Sequence, residues 1–87
     1  MNKKFYQING KIKKSDEALI SVDDYGLMRG YGIFETIKFT NKKALKINSH
    51  MDRLYQGLKI IKINTHTILR EKLISDINNI ININSIN

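Results

Sequence analysis

The sequence predicts an α+β fold in which a small antiparallel sheet is covered on one face by two helices. Strand-like segments lie in the first half of the 87-residue chain, and two amphipathic helical patterns lie in the second half. Strands and helices that are segregated along the chain are typical of α+β domains. The dipeptide Asn9-Gly10 is a strong signal for a tight hairpin, which favours antiparallel pairing.

The strands are predicted from the alternation of apolar and polar residues and from the turns between them. Four segments are predicted to pair: residues 5–9, 11–14, 33–40 and 44–47. Residues 33–40 combine alternation with β-branched and aromatic side chains, and residues 41–43 supply the turn that follows. Residues 18–22 are predicted as a short third strand or an extended segment.

Two helices are predicted in the second half. The first begins at Ser49, because Ser49-His-Met-Asp52 resembles a capping box with Asp in place of Glu or Gln. Its apolar face consists of Met51, Leu54, Tyr55, Leu58 and Ile61. After a break at residues 64–67, a second apolar face consists of Ile68, Leu69, Leu73, Ile77 and Ile80. Residues 78–87 are low in complexity, and they are predicted to be a helix end or an unpaired strand.

Composition excludes several classes of protein. The sequence contains no Cys, which excludes disulfides and thiolate metal sites and fits a cytoplasmic setting. No apolar run is long enough to span a membrane, and the basic N-terminus lacks the apolar core of a signal peptide. The net charge is +7, but the lysines are scattered, which favours a solvated surface over a nucleic-acid interface.

The segment from Asp24 to Thr36 holds three of the five glycines, namely Gly26, Gly30 and Gly32. Such a concentration indicates tight turns or the close approach of the backbone to another group. The segment is not a P-loop, because no Gly-Lys-Ser/Thr follows. It precedes a predicted strand, whereas a dinucleotide-binding fingerprint follows one.

Arg53 and Glu35 are the candidate site residues that the pattern itself provides. Arg53 falls in the first turn of the predicted helix, where a bound phosphate or carboxylate would offset an unfavourable cation. Alternatively, Arg53 is a surface residue that pairs with Asp52 or Glu35. Glu35 lies on the same strand face as apolar residues and therefore needs a partner.

No complete catalytic or metal-binding set is evident. His50 and His66 are not at metal-ligand spacing with carboxylates, and both are interpreted as structural. Asp23-Asp24 is interpreted as turn and capping chemistry. The sequence shows neither a Ser-His-Asp set nor paired carboxylates at helical spacing, so we predict no metal ligand and no catalytic residue.

Two motifs in order resemble the N-terminal part of class IV aminotransferases, the fold-type IV pyridoxal-phosphate enzymes. The first motif is Asp24-x-Gly26-x-x-x-Gly30-x-Gly32-Ile-Phe-Glu-Thr36, and the second is His50-Met-Asp-Arg53-Leu54. The resemblance covers about residues 5–61. The family includes D-amino-acid aminotransferases, branched-chain aminotransferases and 4-amino-4-deoxychorismate lyases.

The resemblance implies roles for four residues. It implies that Arg53 binds the phosphate of pyridoxal 5′-phosphate and that Phe34 lies on the substrate side. It places Arg29 among the substrate-binding residues as well, and it implies that Glu35 supports the site without touching the cofactor. It also implies a small amino compound as the substrate of the full-length enzyme.

Departures from the family pattern indicate which branch of the family the chain resembles most. Tyr31 stands where many relatives have Asp. Branched-chain members tend to have Tyr in place of Arg29 and Gly in place of Thr36, so the chain leans towards the lyase and D-amino-acid branches, with the lyase slightly ahead.

The family's Schiff-base Lys and the carboxylate that pairs with the pyridine nitrogen lie in a second domain, beyond residue 87. We therefore expect residues 1–87 to be the N-terminal domain alone, without catalytic activity. A domain without its neighbour is expected to expose an apolar face and to self-associate. Two non-enzymatic alternatives are a dimerisation module and a basic nucleic-acid-binding domain.

Overall fold

The computed structural model describes residues 4–84. Within this range the strands are β1 (Phe5–Ile8), β2 (Lys11–Lys14), β3 (Phe39–Thr40) and β4 (Lys43–Ala44). The α-helices are α1 (Tyr25–Arg29), α2 (Ile47–Ile60) and α3 (Arg70–Ile83), and a 3-10 turn covers Ser15–Glu17. This content confirms the α+β class.

The prediction of one antiparallel sheet is wrong, because the four strands form two separate hairpins. β1 pairs with β2 and β3 pairs with β4, both antiparallel. Each hairpin closes through a two-residue turn with positive φ at both positions, at Asn9-Gly10 and at Asn41-Lys42. Such turns match the twist of the strands that they join. The turn predicted at residues 9–10 is confirmed, whereas the turn predicted at residues 41–43 covers only Asn41-Lys42, because Lys43 already belongs to β4.

The predicted strand at residues 33–40 is paired only at Phe39–Thr40. Its alternation is nevertheless present, since the odd-numbered residues 33–39 are half-buried and the even-numbered ones are exposed. Residues 33–38 pack one face on α2 and have no strand beside them among the described residues. Residues 18–22 likewise belong to no strand, so the prediction of a short third strand there is wrong.

The starts of the two long helices differ from the prediction. α2 begins at Ile47 after Lys46, whose φ is 53°, so Ser49 lies inside the helix and does not cap it. The backbone N–H of Leu45 still bonds to Lys38 in the hairpin, which leaves only Lys46 to turn the chain. α3 begins at Arg70, because Asn64 accepts a hydrogen bond from the His66 backbone and closes a separate turn.

The core is small and is formed by side chains of the two long helices. The buried apolar side chains within residues 4–84 are Met51, Leu58 and Ile81. The predicted apolar face of α2 is confirmed, because its members are all buried or half-buried. Ile81 lies outside the predicted apolar set of the second helix, which ended at Ile80.

Asparagines of the low-complexity segment connect α3 to both hairpins. The Asn84 side chain accepts a hydrogen bond from Phe5 N–H at 2.8 Å and donates one to Phe5 C=O at 3.0 Å. Asn78 accepts a bond from the backbone N–H of Ala44 at 3.5 Å. The segment is therefore helical through Ile83, and residues 85–87 lie outside the described residues.

Between residues 4 and 84, none of the helices has the length and apolar character needed to cross a bilayer.

Candidate functional site

The segment from Tyr31 to Glu35 runs antiparallel along α2 and carries the candidate site. Tyr31 donates its hydroxyl hydrogen to the C=O of Ile61 at 2.6 Å, at the C-terminal end of the helix. Two residues in an extended segment and four in a helix advance the chain by about 6 to 7 Å, so alternate residues of the segment meet successive helical turns.

Ile33 provides the middle contact of this packing. A Cβ atom added at Gly57 would lie 3.2 Å from Ile33 Cδ1, so the absence of a side chain at Gly57 lets the segment lie close to the helix. Glu35 then reaches the first half of α2, where His50 and Arg53 lie. The alternation seen in the sequence therefore directs Glu35 towards the helix and Phe34 away from it.

Glu35, His50 and Arg53 form a three-residue cluster. One carboxylate oxygen of Glu35, Oε1, lies 2.5 Å from His50 Nδ1 and 3.0 Å from Arg53 Nη2. The side chains of Glu35 and His50 are about 85% buried, with 16% and 15% exposed, whereas that of Arg53 is 65% exposed. The two helical residues are three positions apart and therefore share one face.

The contact with Glu35 shows which ring nitrogen of His50 carries a hydrogen. An ionised carboxylate has no hydrogen to donate, so His50 Nδ1 carries the hydrogen that it shares with Glu35. The same nitrogen cannot then accept from Arg53 Nη2, which lies 3.2 Å away. Arg53 is thus held by Glu35, and His50 fixes the position of that carboxylate.

The cluster favours the ionised form of Glu35. The hydrogen bond from Arg53, followed by that from His50, lowers the pKa of the Glu35 carboxyl below its ordinary value of 4.5, while desolvation opposes this shift. The need for a partner that the sequence indicated at Glu35 is therefore met. Of the two alternatives for Arg53, the structure shows the pairing with Glu35 and does not show pairing with Asp52, which binds Arg70 at 2.6 Å.

The prediction that Arg53 lies in the first turn of the helix is wrong. Because α2 begins at Ile47, Arg53 lies in its second turn, where backbone N–H groups are bonded within the helix. An anion at this position would therefore be bound by the guanidinium group and not by free backbone N–H groups. Within residues 4–84, Nε and Nη1 of Arg53 have no hydrogen-bond acceptor, so these donors face solvent.

The other predicted site residues lie outside this cluster. Phe34 is 86% exposed, next to Glu35 but on the opposite face of the segment. Arg29 ends α1 and lies over the Tyr25 ring, 5.9 Å from its centroid. Asp24 caps α1 by accepting from Gly26 and Leu27 N–H, which confirms its capping role.

His50 is the member of the cluster that the sequence analysis did not connect with Glu35 or Arg53. A usable signal existed, since His50 and Arg53 are spaced by three on a predicted helix beside a strand with an inward carboxylate. Elsewhere, a cleft of about 810 Å³ lies between β1 and α3 and includes none of the predicted site residues. In residues 4–84, no three His, Cys, Asp or Glu side chains are grouped to hold a metal ion.

Comparisons with known proteins agree with the resemblance. The chain is 30% identical over 79 residues to a putative branched-chain-amino-acid aminotransferase of Methanocaldococcus jannaschii, covering 91% of the chain and 27% of that protein. It is 25% identical over the same length to an aminodeoxychorismate lyase of Bacillus subtilis, with the same coverage. Over 48 residues, 55% of the chain, it is 33% identical to 17% of a D-alanine aminotransferase of Listeria innocua.

No protein-family model matches the chain. No solved structure matches it either. The chain spans about a quarter of the length of the first two relatives, which are 27% covered. It is therefore similar, over most of its own length, to part of proteins named as a putative branched-chain-amino-acid aminotransferase and an aminodeoxychorismate lyase.

Proposed function

We propose that this chain supplies the phosphate-binding part of a pyridoxal 5′-phosphate site in an enzyme of the class IV aminotransferase group. The observation that carries the proposal is Arg53, whose guanidinium is anchored at one end by Glu35 and exposed at the other. Similarity to three differently named members of the group supports it.

Arg53 fits a phosphate group chemically. Its guanidinium carries N–H donors that suit phosphate oxygens, and Nη1 and Nε are donors that Glu35 does not use. Glu35 and His50 restrict the rotation of the Arg53 side chain, so less conformational entropy is lost when an anion binds. When bound, the cofactor would supply an electron-withdrawing ring that stabilises negative charge on the substrate.

Within the group, we propose an aminodeoxychorismate lyase-like branch, acting on a small amino substrate, with a D-amino-acid or branched-chain aminotransferase as the alternative. Arg29 and Thr36 favour the lyase and D-amino-acid branches over the branched-chain branch. Phe34 and Arg29 would contact the substrate, and the exposure of Phe34 makes it accessible for that role.

Binding of pyridoxamine 5′-phosphate tests the role of Arg53, because this form has an amine in place of the aldehyde that reacts with lysines. We expect Arg53→Gln to weaken binding by about tenfold to a hundredfold, as the loss of a charged hydrogen bond predicts. The shift of the ³¹P NMR signal during titration measures the affinity, and circular dichroism checks that the variant folds.

Lys59→Gln is the matched control, since it removes one positive charge from an exposed position on the same helix. It is expected to change the affinity by no more than about twofold. Pyridoxamine without the phosphate should bind much more weakly to the wild-type chain. If Arg53→Gln and Lys59→Gln weakened binding equally, Arg53 would contribute only its positive charge and would not bind the phosphate directly.

We further expect the 87-residue chain to show no amino transfer and no lyase activity on its own. The resemblance implies no counterpart of the family's Schiff-base Lys within the residues that it covers, and an amine placed elsewhere cannot meet the cofactor face. Product formation from aminodeoxychorismate, or from D-alanine with an oxo acid, is measured with pyridoxal phosphate present. Turnover above that of heat-denatured protein would contradict this proposal.

A further inference from the structure

The outer edge of β1 has an unpaired backbone position at Gln7. Both backbone groups of Phe5 bond to the Asn84 side chain, so they point away from β2. Because backbone groups alternate in direction along a strand, those of Gln7 point the same way as those of Phe5. Among residues 4–84, no group beyond the hairpin forms a hydrogen bond with the Gln7 backbone.

The cleft of about 810 Å³ lies along this edge. Its first wall consists of residues 5–7 with Asn9 and Gly10, and no residue of β2 lines it. Its second wall contains the whole predicted apolar face of the second helix, namely Ile68, Leu69, Leu73, Ile77 and Ile80. None of these five side chains is fully buried, and Leu69 is 65% exposed. The hairpin therefore leaves the apolar face of α3 partly uncovered.

The free edge and the apolar wall together fit an extended peptide. The Asn84 side-chain amide already bonds to Phe5 as a neighbouring strand would, since it accepts from the N–H and donates to the C=O. A strand beside β1 would continue this pairing at Gln7, and its alternate side chains would lie on α3. The helix from Leu69 to Ile80 is about 16 Å long, which is the length of about five extended residues.

Two polar side chains of the cleft indicate the chemistry of such a peptide. Lys72 lines the cleft with its side chain 63% exposed, and Asp76 occupies one of its three N–H donors. The other donors can bind a carboxylate, and the net charge of +7 favours an acidic segment. Gln7 Oε1 is buried without a hydrogen-bond partner among residues 4–84, so a peptide donor that reaches it would satisfy it.

We propose that this cleft binds an extended peptide segment of another protein as a strand beside β1. The peptide has apolar side chains at alternate positions and an acidic residue near one end. Its backbone bonds to Gln7, its apolar side chains pack on Leu73 and Ile77, and its carboxylate contacts Lys72. The cleft contains none of the residues of the Arg53 cluster, so the proposal does not depend on the proposed cofactor function.

NMR titration of the ¹⁵N-labelled chain with acetylated and amidated Glu-Val-Thr-Val-Thr-Val-Glu tests this proposal. An acidic residue at each end allows either strand direction. We expect saturable binding with a Kd below about 1 mM, weakened about fivefold or more by Leu69→Asn, which removes an apolar contact without changing the charge. Ile60→Asn is the matched control, since Ile60 is 73% exposed on α2 and does not line the cleft. It should leave the Kd within about twofold.

A modified peptide separates strand pairing from apolar contact alone. N-methylation at two successive central residues keeps every side chain and removes one N–H that faces β1, whichever way the peptide runs. We expect this peptide to bind about tenfold more weakly or worse. Lys72→Glu should also weaken binding of the acidic peptide, and a peptide with Lys at both ends should recover part of the affinity for this variant.

Hydrogen exchange locates the bound peptide. The Gln7 amide should gain protection as peptide is added, whereas the Phe5 amide, which already bonds to Asn84, should change little. Absence of saturable binding, equal effects of the two Asn variants, or equal affinity of the N-methylated peptide would each overturn the proposal. So would a Gln7 amide that is fully protected without peptide, because another part of the chain would then occupy the edge.

Discussion

Met51→Ala is expected to lower the free energy of unfolding by about 2 to 5 kcal/mol. Met51 is 1% exposed and is the most deeply buried side chain in residues 4–84. Truncation of a buried Met to Ala costs about 2 to 5 kcal/mol, because both the transfer energy and a cavity contribute. A domain of this size has about 4 to 13 kcal/mol of stability in total, so one such loss is a large share of it.

Urea unfolding followed by circular dichroism measures this effect. Met28→Ala is the matched control, because Met28 is 62% exposed on α1 and the same atoms are removed. Its free energy of unfolding should change by no more than about 0.5 kcal/mol. Met51→Leu, which preserves volume, should lose less than about 1.5 kcal/mol. Similar losses at positions 28 and 51 would show that the core does not lie where the structure places it.

Local patterns in the sequence were sufficient to predict much of the fold. Asn-Gly tolerates the positive φ that a tight hairpin turn requires at both positions, and the turn at residues 9–10 forms as predicted. The spacing of three and four on α2 gave the buried face, including Met51 and Leu58. These features depend on backbone and side-chain preferences within a few residues, and a single sequence contains that information.

Features that depend on distant contacts were not predicted. Alternation at residues 33–40 correctly set which side chains face inwards, but pairing requires a neighbouring strand whose position the pattern does not encode. The start of α2 moved to Ile47 because the β3–β4 hairpin fixes Leu45 first. The bond between Asn84 and Phe5 joins opposite ends of the described chain, and low-complexity sequence gives no sign of it.

In the candidate site, too, local features were predicted and contacts between distant residues were not. The inward position of Glu35 and its need for a partner followed from the alternation, and Arg53 was identified as a candidate anion-binding residue. The helix-terminus argument for Arg53 failed because it depended on a boundary set by the hairpin. The contact between His50 and Glu35 arises from the packing of residues 31–35 on α2, which is a tertiary feature.

Glu35→Gln is expected to reduce the acid sensitivity of folding. The bonds from Arg53 and His50 lower the pKa of Glu35 in the folded chain, relative to an ordinary value of 4.5. A carboxyl whose pKa is lower in the folded state binds fewer protons there, so it contributes stability above pH 4.5. That contribution is lost as the pH falls below 4.5 and through the folded-state pKa.

The wild-type chain should therefore be more stable than Glu35→Gln near neutral pH, and the two should converge in acid. Urea midpoints measured between about pH 7 and about pH 2.5 give this comparison directly. Glu71→Gln is the control, since Glu71 is an exposed carboxylate on α3 with no ion-pair partner within residues 4–84. Because Glu35 connects residues 31–35 to α2, parallel pH curves for wild type and Glu35→Gln would mean that the cluster contributes nothing to holding that segment, and Arg53 would lose its anchor.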